Sequence, residues 1–269
     1  GYRCVVTEQV DNNVTVVGVH RCSCGLLSHA CHCMEFSLIA SFRRDAVSDL
    51  RSLANMIRAI LFDLDDTLMD HTAAMQAAVE EWLPGGHQQR FADIEKKWFA
   101  AFERGEVSHQ GQRVERCREF LGRPEMTEQE ALAEYDKYLT AYAKHWCAVE
   151  GAREALEYVL KLGLKVGVLT NGAREMQEGK LRAGGLDLPG VELFPTVEMG
   201  HPKPQREAYL EACRRLGVEP ADALMVGDSV ANDVDGARAA GLKALHFDRE
   251  GRGDLAALAD LQSVSFRAL

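Results

Sequence analysis

Two regimes of hydrophobic patterning divide this chain. Between residues 71 and 149 apolar positions recur at spacings of three and four: Met75, Ala78, Val79 and Trp82; Phe91, Ile94, Trp98, Ala101 and Phe102; Leu132, Tyr135, Leu139, Tyr142, Ala143 and Trp146. Such spacing predicts amphipathic helices that bury their stripes against one another, and Pro84-Gly85-Gly86 and Gly122-Arg123-Pro124 fall where antiparallel helices would be joined. Elsewhere short apolar runs alternate with helical patterns. Met56 to Phe62, Leu164 to Leu169, Phe194 to Val197, Ala223 to Val226 and Lys243 to Phe247 read as buried strands. Helices are expected around Ala155 to Leu160, after Asn171, from Gln205 to Leu216 and after Ala231. This alternation predicts an α/β fold: a doubly wound parallel sheet, Rossmann-like, formed by residues 56–70 and 150–269, with residues 71–149 inserted as an α-helical cap.

The first 55 residues break the pattern. They show no sustained period beyond an apolar stretch around Val14 to Val19, and five of the eight cysteines, Cys4, Cys22, Cys24, Cys31 and Cys33, crowd there. With a start at Gly1 rather than methionine, the segment reads as a read-through or mis-assigned extension, disordered or non-native. Its alternative is a metal module: His20, Cys22, Cys24, His29, Cys31, His32 and Cys33 supply soft ligands, although the Cys-x-Cys spacing matches no common zinc pattern.

The formal charge of -10 lies entirely downstream of that segment, whose five basic and five acidic residues cancel. An acidic chain without a basic stripe points away from nucleic acid and anionic membranes and toward small substrates. No apolar run reaches spanning length, and the N-terminus has no signal-peptide pattern, so a cytoplasmic location is expected.

In open parallel sheets ligands sit beyond the carboxyl ends of the strands. Polar residues cluster at those positions: Asp63-Leu64-Asp65-Asp66-Thr67 after the first strand, Thr170-Asn171-Gly172 after the second, Gly227-Asp228 with Asp233 after the fourth, and Lys203 between Pro202 and Pro204 ahead of a helix. Phosphoryl transfer requires an aligned nucleophile and positive charge around the phosphoryl oxygens. Asp63 can attack phosphorus and form an aspartyl phosphate; Asp65 can protonate the departing oxygen and later deprotonate water. Thr170 and Asn171 can hold phosphoryl oxygens, and Lys203 can neutralise both nucleophile and phosphoryl group. Gathering Asp63, Asp65 and Asp228 would raise their pKa values unless a cation joined them, and an all-oxygen donor set suits Mg2+.

Asp63-x-Asp65-x-Thr67, Thr170, Lys203, and Asp228 with Asp233 together resemble the four signature motifs of the haloacid dehalogenase-like superfamily. The resemblance spans Met56 to Phe247, and the helical insertion is similar to the cap of the phosphoglycolate phosphatase-like branch. It implies a magnesium-dependent phosphomonoester hydrolase acting on a small phosphorylated metabolite. The implied metal ligands are Asp63, the backbone carbonyl of Asp65, and Asp228, with Asp233 as ligand or support. Asp65 favours phosphoryl over carbon chemistry, and Thr67 the phosphatase over the mutase form. A sugar-phosphate mutase and a non-catalytic binding module carrying the Cys/His segment are the alternatives. Asp66 reads as a solvated turn residue, and Glu106 to Arg113 as a polar connection able to reach over the site; Arg113 and Arg116 read as solvated, with substrate contact as the alternative, and His71 lies where it could face the cleft without being assigned a role.

Overall fold

The computed structural model describes residues 3–10, 14–21 and 57–263. Near the N-terminus, β1 (Arg3–Val10) and β2 (Val14–Arg21) pair antiparallel with Val10 opposite Val14. The second strand contains the apolar stretch from Val14 to Val19. Val5, Val6 and Thr7 are β-branched and favour a strand, but without the period-two alternation that would have marked one. The Cys/His cluster from Cys22 to Cys33 lies outside the described residues. Two compact units are present, Gly1–Asp49 and Leu50–Leu269.

The larger unit is built on β3 (Ala59–Phe62), whose four residues are all buried. It lies at the centre of a five-stranded parallel sheet with β4 (Lys165–Thr170), β5 (Val191–Pro195), β6 (Ala223–Gly227) and β7 (Lys243–His246), in the order β5-β4-β3-β6-β7. Alternate β3 residues enter different cores. Ile60 and Phe62 pack with Leu156 and Val159 of one helix; Ala59 and Leu61 pack with Ala208 and Tyr209 of another. Each large apolar side chain so buried stabilises the fold by about 1.5–3 kcal/mol, and burial on both faces is why β3 reads as an unbroken apolar run.

Four helices separate β3 from the rest: α1 (His71–Trp82), α2 (Gln88–Glu103), α3 (His109–Leu121) and α4 (Glu128–Lys144). They share a core of their own that includes Met75, Phe91, Val114, Phe120, Tyr135 and Tyr138. Thr127 starts α4 with a capping box, its Oγ1 accepting from Glu130 N while Glu130 Oε2 accepts from Thr127 N. α3 is a correction, because Glu106 to Arg113 is not one polar connection. Ser108 caps a helix there, accepting from Gly111 N at 2.9 Å. Its apolar stripe is interrupted by Gln112 and Arg116, both buried, which hid the helical period.

After α5 (Ala152–Lys161) the order is β4, α6 (Arg174–Ala183), β5, α7 (Thr196–Met199), α8 (Arg206–Leu216), β6, a π-helical turn (Val230–Asp235), α9 (Gly236–Ala239) and β7. β5 starts at Val191 and ends at Pro195, with Thr196 and Val197 already helical, so the strand expected at Phe194 to Val197 is displaced toward the N-terminus. No described helix is long and apolar enough to cross a membrane.

Candidate active site

The parallel register aligns the carboxyl ends of β3, β4 and β6, with Phe62 opposite both Val168 and Val226. Asp63, Thr170 and Asp228 therefore emerge side by side. The chain turns sharply after Asp65 because Asp66 adopts a left-handed conformation (φ 59°), which an aspartate tolerates better than a branched residue. Asp66 then accepts from Thr72 N and Thr72 Oγ1 at 2.8 and 2.7 Å and anchors the start of α1. Thr67 lies beneath, its Oγ1 accepting from Asp228 N at 3.1 Å.

Lys203 joins the strand ends. Its Nζ lies 2.6 Å from Asp63 Oδ1 and 2.7 Å from Asp233 Oδ1, and Lys203 and Asp233 are 2% and 1% exposed. The π-helical turn points Asp233 inward and leaves Asp235 exposed. Asp233 packs against Gly227, where a Cβ would overlap its carboxylate. Oxygens of Asp63, Asp228 and Asp233 lie within 4.8 Å of one another. Burial first, then repulsion from Asp233 and Asp228, raises the Asp63 carboxyl well above its ordinary value even though Lys203 opposes the rise. Burial and repulsion from Asp233 and Asp66 push Asp228 up to about 7. Three carboxylates, two buried and one partly buried, beside one ammonium remain short of positive charge. A hard divalent cation fits that shortage and that donor set.

Asp65 points elsewhere. Lys180 Nζ contacts both of its oxygens at 2.6 and 2.8 Å, so the Asp65 side chain is not part of the acidic cluster. Burial would raise this carboxyl, but the charges of Lys180 and His71 and hydrogen bonds from Lys180 and Gln177 hold it below its ordinary value. Gln177 and Lys180, three residues apart on α6, reach inward together, and Gln177 Nε2 also donates to Thr170 Oγ1 at 2.6 Å.

Asn171 requires a correction. Its Oδ1 accepts from Lys203 N at 2.7 Å and Thr196 Oγ1 at 2.9 Å, while its Nδ2 donates to Lys203 O at 2.8 Å and Glu103 Oε1 at 3.1 Å. Every hydrogen-bonding position of the amide is filled by protein, so the side chain fixes the lysine loop and is not free to hold phosphate.

Above these residues a cavity of about 500 Å³ extends into the cap. Its far wall holds His71, Glu95 and Arg116; the sequence reading offered His71 and Arg116 only as secondary alternatives and missed Glu95. Glu95 bonds Arg116 Nη1 at 2.6 Å and His71 Nε2 at 3.1 Å, and His71 Nδ1 is 2.6 Å from Tyr142 Oη. Arg116 is 5% exposed, so it is not the solvated arginine expected. Burial would raise Glu95 and lower His71; their mutual attraction, with Arg116, prevails and sets Glu95 to about 2 and His71 to about 9. The His71 contribution to stability is complete below pH 6.5 and lost as pH rises through 9; that of Glu95 is present above 4.5 and lost as pH falls through 2. The shared contact is worth roughly 3 kcal/mol. The thermal midpoint should therefore fall between pH 6.5 and 9, and His71→Gln should flatten that slope; an equal slope in the variant would rule His71 out as the cause.

The chain is similar to known proteins over most of its length. The haloacid dehalogenase-like hydrolase model matches residues 57–241, and the chain belongs to that family. It is 29% identical over 231 residues to ribulose-1,5-bisphosphate 5-phosphatase of Halopiger xanaduensis, covering 79% of this chain and 94% of the relative. To N-acetylmuramic acid 6-phosphate phosphatase of Pseudomonas aeruginosa it is 31% identical over 199 residues, covering 70% and 80%. In fold it is similar to the HAD-hydrolase YfnB from Bacillus subtilis bound to magnesium, with a TM-score of 0.65, 24% identity, and coverage of 75% of this chain and 92% of that one.

Proposed function

We propose that this chain is a magnesium-dependent phosphomonoester hydrolase that acts on a small phosphorylated metabolite through a phosphorylated Asp63. The observation that carries this reading is the contact of Lys203 with Asp63 inside a carboxylate cluster at the floor of the cavity. The two relatives, both phosphatases named for small phosphorylated metabolites, support it.

Asp65, ionised beside Lys180 in the free protein, takes up a proton as the anionic phosphate ester binds; Asp63 then attacks phosphorus while the bond to the leaving oxygen breaks, and Asp65 passes that proton to the leaving oxygen. Water then attacks the same phosphorus, Asp65 takes the proton, and the Asp63–phosphorus bond breaks to restore the carboxylate. Lys180 and Gln177 aim Asp65. The Thr170 hydroxyl, whose oxygen accepts from Gln177, has its proton to offer a phosphoryl oxygen. Asp63, Asp228 and Asp233, with the Asp65 carbonyl that the family pattern implies, would hold the cation, which supplies positive charge to the phosphoryl oxygens when bound. Asp65 beside Asp63 favours this chemistry over attack on carbon.

The test is hydrolysis of an aryl phosphate with magnesium and with chelator. Chelation should lower turnover by about 100-fold or more. Magnesium-independent turnover removes the metal from the reading, and absence of hydrolysis removes the reading. A second measurement probes the donor set without activity. The raised Asp228 carboxyl costs stability increasingly above pH 3.8, fully by about 7. Asp228→Asn should therefore raise the chelated protein's thermal midpoint, by roughly 2 kcal/mol or about 4–8 °C, and abolish any further rise on adding magnesium. A lower midpoint would contradict the repulsion.

A further inference from the structure

α3 turns a polar stripe toward the cavity: His109, Gln112, Arg113 and Arg116, at helical spacings of three, one and three, all line it. Val114, Cys117 and Phe120, on the adjoining part of the helix surface, pack into the cap core. A helix that directs its basic side chains into a cavity reverses the usual amphipathic arrangement, and such inward charges need partners. Arg116 has Glu95. Arg113 forms no hydrogen bond or ion pair among the described residues, although it is withdrawn from water enough for burial to lower its pKa.

Asp136 attracts it without bonding it, Arg116 repels it, and the acids of the cavity lining are engaged elsewhere. Glu95 is already shared between Arg116 and the protonated His71. Glu103, the other acidic cap residue in the lining, is turned to Asn171 and Asn232. Arg113 and Arg116 add to the effect of burial to push His109 down to about 4, so a further positive charge is resisted there. Two buried polar atoms of the same stripe, Gln112 Oε1 and Arg116 Nε, have no hydrogen-bond partner among the described residues. The cap end of the cavity therefore has excess positive charge and unmet polar groups, while the core end carries the carboxylates and Lys203.

We propose that the substrate's leaving group carries a second anionic group, a carboxylate or a second phosphate, and that Arg113 receives it and thereby sets specificity. This rests on the phosphatase reading above. A planar guanidinium can bond either anion through two parallel N–H groups.

Three probes with the same three-carbon chain separate the possibilities: 3-hydroxypropyl phosphate, 3-(phosphonooxy)propanoate and propane-1,3-diyl bisphosphate. Wild type should favour at least one of the two anionic probes over the neutral one by about 10-fold or more in kcat/KM, expressed mainly in KM, and which one is favoured identifies the second group. Arg113→Met should bring that ratio close to unity, Arg113→Glu should drive it lower, and Arg113→Lys should keep part of it. Lys96→Met, at an exposed unpaired cation in the same lining, should leave the ratio unchanged, excluding a general field effect. Turnover of all three probes by wild type without preference, or a preference retained in Arg113→Met, would overturn the inference while leaving the phosphatase reading standing. Hydrolysis of none of the three with magnesium would overturn both. Because the wild-type ratio alone can refute the proposal, it does not depend on any variant folding.

Discussion

The Asp63→Asn variant is expected to lose phosphate-ester turnover by about 10,000-fold or more while folding normally. An amide cannot form the acyl phosphate, and neither Asp228 nor Asp233 can replace it: Asp233 is tied to Lys203 and to Ser229 N, and Asp228 emerges from a different strand. The fold should tolerate the change because the Asp63 carboxylate opposes its surroundings, with burial and neighbouring carboxylates raising its pKa. Removing the charge relieves that opposition, and Lys203 keeps Asp233 as a partner. Mass spectrometry of protein quenched during turnover should show a phosphoryl adduct in wild type and none in the variant. Comparable turnover in an Asp63→Asn protein would place the nucleophile elsewhere.

Lys203→Met should damage both activity and fold. It removes two buried contacts at 2.6 and 2.7 Å and leaves Asp63, Asp233 and Asp228 without their ammonium. Breaking one side of a buried ion pair typically costs about 3–5 kcal/mol. Loss of positive charge beside the transferring group should lower turnover by about 100- to 1,000-fold. The cause can be separated from simple misfolding. If uncompensated carboxylates are responsible, the Lys203→Met, Asp233→Asn double variant should be more stable than Lys203→Met alone, and lowering the pH should narrow the gap to wild type. Equal denaturation midpoints for single and double variants would instead place the cost in packing.

The candidate site was legible in the sequence because its signal is local. Asp63, Asp65, Thr170 and Asp228 each follow an apolar run, and a parallel sheet brings such positions together without any knowledge of side-chain packing. Lys203 was marked by its place between Pro202 and Pro204 ahead of a helix, and Asp233 by its spacing of five from Asp228. The supporting residues could not be read because their signal resembles that of a solvated surface. Gln177 and Lys180 sit on a helix rich in charge, and nothing in Arg174 to Ala183 distinguishes the 3%-exposed Lys180 from its exposed neighbours. The cap residues posed the same problem from the other side. Gln112 and Arg116 broke the apolar period of α3, so a buried polar face was taken for a loop. His71 and Glu95 meet across two helices, a pairing that no spacing within one helix encodes.

Asn171 gives the cap and the catalytic floor a common fastening. The amide that grips both backbone groups of Lys203 also donates to Glu103, at the end of α2, and Asn232 donates to the same carboxylate at 2.6 Å. The specificity module is consequently not freely interchangeable on this scaffold. A transplanted cap without an acid at the position of Glu103 would leave two amide donors unmet beside the lysine, and a change meant to alter substrate choice would be felt in the chemistry as well.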